Sequence, residues 1–441
     1  MIEAPPTLTP ELLRKILPFL GEKDVSLILD EINERYDYWT EFKYKKYDSK
    51  LSNIELWAAA RFIRRFHLSK IQLTSGDYKE EFCYSVPKPI QEKLHSLDRN
   101  YGYIFEEDQL KSEREKKRLQ VSSIMEEAIA SSQIEGAITT RVAAKEMLRS
   151  NRRPRNISEQ MIFNNYIAIL KLNDYKKYEL SIDLMQEIHA TVTKDTLENS
   201  DHEGRIRYNN EVHVVDTSKS EVVHIPPGHE YLEGLLVSFC KFANDQKHFI
   251  HPIVKASILH FMVGYLHPFH DGNGRTARAL FYWFLLKNDY WLIEYVSISK
   301  LILKTKIQYA NAYQQVERDS NDLTYFIKYQ IKILEASFRE LKNYLTSKRQ
   351  EKRKIGELLR FSQFNHRQIE IINKALETEY FEISIKQYEA RMNVSFGTAR
   401  SDLLILEDHG LFSKIKRGKS FYFTPSLEFS GRLQSLIISN P

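Results

Sequence analysis

Apolar residues recur every three or four positions along most of this chain, the spacing that gathers them on one face of an α-helix. "TPELLRKILPFL" opens with Thr9 as a cap and Pro10 in the first helical position. "LSNIELWAAARFIRRFHLSKIQL" reads as one long amphipathic stretch, and the short "EEFCYS" beyond it as a candidate extended segment. From about Glu106 to Gln133 the chain reads as a single charged helix with an apolar stripe through Leu119, Ile124 and Ala128. Further helices are predicted at 158–173, 181–195, 228–244, 251–266, 275–288 and 322–345. The stretch "HPIVKASILHFMVGYL" is apolar around most of its circumference, as a helix at a domain centre must be.

One segment breaks the pattern. "RYNNEVHVVDTSKSEVVHIPP" alternates β-branched residues around a polar turn at 217–219 and reads as a β-hairpin ended by Pro226-Pro227. A lone hairpin buries little by itself, so it is read as a functional flap. Residues 346–360 are basic and poor in bulky apolar groups through Lys354, the texture of a linker helix; three helices and short strands are expected beyond it.

Composition narrows the class. The 441 residues are 42% hydrophobic and 28% charged, enough for two or three domains, and the net charge of +5 implies no bulk nucleic-acid tail. Two cysteines, Cys83 and Cys240, exclude a disulfide framework or a multi-thiolate zinc site. With no secretory signal and no run of 18 apolar residues, a cytoplasmic protein with no membrane partner is expected.

The chemistry concentrates in "HPFHDGNGRTAR", residues 267–278, between two very apolar helical stretches. A glycine-rich turn feeding a helix N-terminus aims unpaired N–H groups outward and makes an anion nest. Arg275 and Arg278 sit three apart on the first turn, where an anionic ligand would offset their conflict with the helix dipole. A polyphosphate is the ligand implied. Asp271 is the single carboxylate that a phosphate-bound Mg²⁺ needs, Asn273 can donate from the floor of the loop, and His267 is suited to accept a proton near neutrality. Together they fit attack of a hydroxyl on a phosphate ester. A rival reading takes His270-Asp271 with His251, His260 and His267 as a metal phosphohydrolase, but it leaves the glycines and arginines unused.

Residues 267–278 resemble the Fic family signature, HPFx(D/E)GN(G/K)RxxR, at every defined position. "EGRIRYNNEVHVV…EVVHIPP" is similar to the family's lead-in, here Gly204 and Arg207, with its flap hairpin. "SSQIEG" is similar to the family's inhibitory motif, here Ser131, Glu135 and Gly136. The resemblance covers roughly residues 100–345 and implies a protein adenylyltransferase: AMP moves from ATP to a Ser, Thr or Tyr hydroxyl of a target protein and pyrophosphate leaves. It implies His267 as the base and Asp271 on Mg²⁺. Asn273, Gly272 and Gly274 would cradle the phosphates, with Thr276 among the nucleotide contacts. Arg275 would meet the pyrophosphate and Arg278 the γ-phosphate. Val222, Val223 and His224 would form the flap over the nucleotide, Tyr309 and Tyr313 would flank the adenine, and Glu135 would hold Arg278 off its phosphate. Removal of AMP from a modified target is the alternative activity.

"NHRQIEIINKALETEYFEISIKQYEARMNVSFGTARSDLLILEDHGLFSKIKRGKSFYFTP" resembles a winged helix-turn-helix. Thr398, Arg400 and Ser401 of its third helix are expected to face outward. Lys414, Lys416, Arg417 and Lys419 are expected to join Arg400 on one basic face toward DNA, although Glu407 and Asp408 oppose it. The fold class expected is mostly α: a Fic-type helical core with a β-hairpin flap, plus this module. The domains expected are a helical region at 1–100, a Fic domain at 101–345 with its inhibitory helix at 106–136, a basic linker helix at 346–361 and the winged domain at 362–430. Candidate partners are a target protein, the chain itself as a self-modification substrate, a second copy in a homodimer, and DNA. The rival class is a DNA- or protein-binding regulator with a slow Fic domain.

Overall fold

The computed structural model describes residues 2–103, 113–216, 220–360, 364–377, 381–417, 420–429 and 431–433. The chain is mostly helical and divides into two units, Met1–Lys342 and Asn343–Pro441. No described helix is long and apolar enough to cross a membrane.

The first unit is built around helix Pro252–Leu266, whose residues from Ile253 to Val263 are all buried. Its polar members are satisfied where they lie: Lys255 Nζ donates to the Asp245 carbonyl at 2.7 Å, and Ser257 Oγ donates to the Ile253 carbonyl at 2.7 Å. Helix Asn273–Lys287 packs along it. Helix Ile157–Tyr175 covers Asn273–Lys287 and touches helices Glu113–Ile134 and Ile182–Thr193. The start expected for the inhibitory helix, 106–112, lies outside the described residues.

Two expectations need correction. The long amphipathic stretch after Leu51 is not one element. Helix Asn53–Arg64, opened by a Ser52–Glu55 capping box, stops, and Ser69–Ser75 pairs with Tyr78–Tyr84 as an antiparallel hairpin. Gly76 takes φ +59° at its turn, and Leu73 and Phe82 point into the core, with Phe82 against Tyr265 at 5.1 Å. The flap is therefore not the only hairpin in the helical domain. It pairs Val214–Asp216 with Glu221–His224; its turn at 217–219 lies outside the described residues. The second correction concerns the separate linker helix: residues 346–360 continue helix Thr324–Arg360 without a break.

The N-terminal helices are locked to the turn before Thr324 by a buried polar network. Tyr36 Oη donates to Asp322 Oδ2 at 2.5 Å, Arg61 pairs with Asp319 at 2.7 Å, and the Arg64 guanidinium lies 3.9 Å over the Tyr36 ring.

In the second unit, helices His366–Glu377, Ile385–Met392 and Phe396–Asp408 pack with a three-stranded antiparallel sheet formed by Ile383–Ser384, Ser420–Pro425 and Phe412–Arg417, in that order. Ile371, Tyr388, Leu403, Leu406 and Phe423 form its core. Asp402 faces inward and accepts from Arg367, Asn365 and Tyr388, leaving Arg400 and Ser401 exposed. Thr398 is bonded to its cap, Ser395, rather than free. The single basic face does not form: strand alternation puts Lys414 and Lys416 opposite Arg417, which pairs with Glu382 at 2.9 Å. Gly418 and Lys419 lie outside the described residues.

Candidate active site

Helix Pro252–Leu266 ends at His267, which takes the left-handed conformation, φ 46°, because Pro268 cannot continue the helix. The His267 Nδ1–H donates to the Gly264 carbonyl at 3.2 Å, which leaves Nε2 with its lone pair. Burial pushes this imidazole down to about 4, outweighing the Gly264 carbonyl, which favours the charged form. Burial likewise overrides the helix-dipole preference for a charged ring, so His267 is neutral near pH 7.

The loop that follows is braced on every side. Asn273 closes it by donating to the Phe269 carbonyl at 2.8 Å and accepting from the Phe269 N–H at 2.9 Å. Thr276 is fully buried and donates to the Gly272 carbonyl at 3.0 Å. Both side chains are bonded inside the loop, where they set its shape. Gly272 takes φ +77°, and a Cβ there would meet Thr193 Cγ2 at 2.5 Å, so only glycine fits.

Asp271 stands at the mouth. Its side chain is 67% exposed, accepts from the Gly272 N–H at 2.5 Å and lies 3.7 Å from Arg275 Nη2. The two arginines are buried, not solvated. Arg275 Nη1 donates to the Val192 carbonyl at 2.8 Å, and its Nε has no partner. Arg278 donates from Nε to Ser131 Oγ at 2.9 Å and from Nη2 to the Ser131 carbonyl at 3.0 Å and Glu135 Oε1 at 2.9 Å; among the described residues its Nη1 has no hydrogen-bond partner. Neighbours on one helix, they are thus held by two different elements.

Glu135 arrives from the end of helix Glu113–Ile134, where Gly136 takes φ +97° and the Ala137 N–H donates to the Ser132 carbonyl at 3.0 Å. Its carboxylate lies over Gly274, whose added Cβ would meet Glu135 Cδ at 3.0 Å, close to the start of helix Asn273–Lys287. Glu127 anchors the same helix from within, accepting from Ser297 Oγ at 2.8 Å and from the Ser299 N–H at 2.9 Å.

Two braces come from further away. Arg207 donates from Nε to the His267 carbonyl at 2.9 Å and from Nη2 to the Pro227 carbonyl, tying the loop to the end of the flap. His189 carried no signal in the sequence beyond an unremarked histidine on an apolar face. It donates from Nε2 to the Asp271 carbonyl at 2.7 Å, accepts at Nδ1 from the Gly204 N–H at 3.0 Å and stacks on Phe269 at 3.8 Å. Gly204 owes its place to the same helix: φ is +72° and a Cβ would meet Ala190 Cβ at 2.9 Å.

At the base of the flap His224 pairs with Glu317 at 2.9 Å and bonds the Tyr265 carbonyl at 2.7 Å, which tethers the strand. Val222, Val223 and His224, with Ile225, Tyr265, Glu317 and Asn321, line an open cleft of about 440 Å³. Tyr309 and Tyr313 are half-buried. The Tyr309 hydroxyl lies 2.8 Å from His260 Nε2, and the Tyr313 ring stacks on Phe261 at 5.0 Å. His260 is spent between Tyr309 and Gln330, and His270 stacks on His202 at 3.8 Å. Among the described residues no group of three His, Cys, Asp or Glu could hold a metal ion, so the histidines of the phosphohydrolase reading do not converge.

This geometry has recognisable relatives. Residues 179–285 match the family model described as the Fic/DOC family. Over 68 residues the chain is 38% identical to the protein adenylyltransferase Fic of Aedes aegypti, covering 15% of this chain and 14% of that protein. Over 126 residues it is 32% identical to the protein adenylyltransferase Fic of Drosophila mojavensis, covering 28% and 24%. The chain thus spans at most about a quarter of the length of these curated relatives. The solved structure of a Fic-1 fragment from C. elegans superposes with a TM-score of 0.52 at 20% identity, over 78% of this chain and 90% of that one. A Fic family protein from Desulfovibrio desulfuricans gives 0.50 at 17%, over 76% and 96%. The chain carries a Fic domain, and its helical architecture is the one found in Fic family structures.

Proposed function

We propose that this protein transfers AMP from ATP to a hydroxyl side chain of a target protein, and that Glu135 restrains the reaction. The observation that carries the reading is a neutral, half-buried His267 with a free Nε2 lone pair, on the same loop as a glycine-rich helix start flanked by Arg275 and Arg278. The target's hydroxyl oxygen attacks the α-phosphorus. A new P–O bond forms, the bond to the bridging oxygen breaks, pyrophosphate leaves, and the hydroxyl proton passes to His267 Nε2. The backbone of Gly272 and Gly274 and the two guanidiniums receive phosphate charge in a buried, preorganised setting.

Asp271 suits a Mg²⁺ ion that takes most of its ligands from phosphates and water: one exposed hard-oxygen donor, with no further carboxylate in the loop. Such an ion supplies charge neutralisation on the phosphates. Val222, Val223 and His224, which share one cleft, are the flap positions proposed to cover a bound nucleotide, while Ser131, Glu135 and Gly136 form the restraining device.

The second unit is proposed as a winged helix-turn-helix. Its support is the order of elements, the Ser395-capped helix with Arg400 and Ser401 exposed, and the Lys414–Lys416 face of its terminal hairpin. A protein partner or weak, salt-sensitive DNA contact fits that mixed surface.

The deciding experiment is incorporation of α-labelled AMP by wild type and His267→Ala. Incorporation is expected to fall by about 10²–10⁴ with ATP binding retained, because the base acts on the hydroxyl and not on the nucleotide. Wild-type incorporation by the variant would remove His267 from the reaction.

A further inference from the structure

The segment immediately after Glu135 has features that the catalytic reading does not use. Residues 141–155, "RVAAKEMLRSNRRPR", hold six cations against one carboxylate, as large a net charge as the whole chain carries. Helix Arg141–Arg149 turns Ala144, Met147 and Leu148 inward against Met125, Ile129 and Ile162. Arg149, Arg153 and Arg155 are exposed, and among the described residues no carboxylate pairs with them. Beside them stand three aliphatic side chains that water should not keep bare: Ile138 is 89% exposed, Val142 78% and Ile157 63%. Ile138 and the start of the next helix are neighbours, since the Ile138 N–H donates to Ser158 Oγ at 3.1 Å.

We infer that this basic, aliphatic surface docks an acidic peptide segment bearing aliphatic side chains, and that docking releases Glu135 from Arg278; the second clause rests on the autoinhibition proposed above. The occupant follows from complementarity. Unpaired arginines call for carboxylates, and the exposed aliphatics call for apolar partners. Residues 136–158 contain no aromatic ring on which a base could stack, which disfavours single-stranded nucleic acid. The helix is only nine residues long with its apolar face already buried, which disfavours a membrane surface.

Coupling to the site follows from how the segment is fastened. Glu126, on the helix that delivers Glu135, accepts from Arg141 Nε at 2.9 Å and also pairs with Lys145. Gln133 Nε2 donates to the Thr139 carbonyl at 3.0 Å. Carboxylates on a docked segment compete with Glu126 for Arg141 and Lys145. The loosened fastening is separated from Glu135 only by the turn at Gly136.

The test uses the full chain and a labelled peptide of alternating glutamate and leucine, with a lysine–leucine peptide, duplex DNA and phosphatidylserine vesicles as comparators. Saturable binding of the acidic peptide is expected, weakened on the order of tenfold or more by combined Arg149→Glu and Arg153→Glu and, separately, by Val142→Ser. Unchanged affinity in these variants, or preference for DNA or vesicles, overturns the docking surface. The peptide should also raise AMP incorporation by wild type and leave Glu135→Gly unchanged. Peptide binding without that rise, in a protein that Glu135→Gly does activate, overturns the coupling. If Glu135→Gly gives no activation while the peptide still binds, autoinhibition fails and the docking surface stands.

Discussion

Arg278 and Glu135 are 143 residues apart in sequence and bonded at 2.9 Å, with Arg278 buried and Glu135 27% exposed. Burial works against the Arg278 charge, and Glu135, with Tyr309 and Glu127, together more than offset it, raising the guanidinium above its ordinary range. One cation therefore serves a carboxylate in the place where the proposed reaction needs it to serve a phosphate.

Glu135→Gly should raise AMP transfer, self-modification included. A bias of about 2–3 kcal/mol corresponds to a gain of tens- to a hundred-fold. Adding Arg278→Ala should cancel the gain, since the freed guanidinium does the docking. Incorporation of α-labelled AMP in the three proteins decides it; no gain in the single variant, with ATP bound normally, would point Glu135 toward AMP removal instead.

Asp271→Ala should abolish both the transfer and its response to Mg²⁺, because the loop holds no second carboxylate. Titrating Mg²⁺ against incorporation is the check. A variant that kept a normal Mg²⁺ response would place the ion elsewhere.

His189→Phe keeps a ring against Phe269 but strands the Gly204 N–H and the Asp271 carbonyl. Each buried unpaired group costs about 1–3 kcal/mol, so the melting temperature should drop and the rate of transfer should fall with it. His189→Leu should behave alike. Melting and activity both at wild-type level would show that the brace is dispensable.

Stability should respond to pH in two opposite ways. His189 and His267 are pushed down to about 4 by burial, so between about 6.5 and 4 the unfolded chain takes up protons that the fold refuses. Stability is lost across that window as pH falls, by roughly 3 kcal/mol per histidine. Asp322 is pushed up to about 6, chiefly by burial and then by Asp319. The proton-linked stabilisation from Asp322 is fully present below about 3.8 and lost as pH rises through about 6. Asp322→Asn should therefore stabilise the protein near pH 8, by up to roughly 3 kcal/mol, and do little near pH 4. Urea melts at the two pH values measure this; equal effects at both would show that Asp322 does not titrate with folding.

The sequence by itself determined what depends on neighbours along the chain. Helical spacing placed helices Ile157–Tyr175, Ile182–Thr193, His229–Asn244 and Pro252–Leu266 to within a few residues, because a continuous apolar face can be buried only one way. Pro268 and the glycines at 272 and 274 made the loop after His267 legible, because they constrain the backbone locally. Tertiary structure decided what depends on distant partners. Asn273 and Thr276 have side chains that suit a phosphate; only the fold shows that Phe269 and Gly272 claim them. His189 became a brace because Gly204 and Asp271 arrive on either side of its ring, and His224 became a tether because Glu317 waits inside. Of the hairpin at Ser69–Tyr84 only the second strand was legible, as "EEFCYS"; the first was hidden because short apolar runs suit a helix and a strand equally, and packing of Phe82 against Phe261 and Tyr265 settles which one forms.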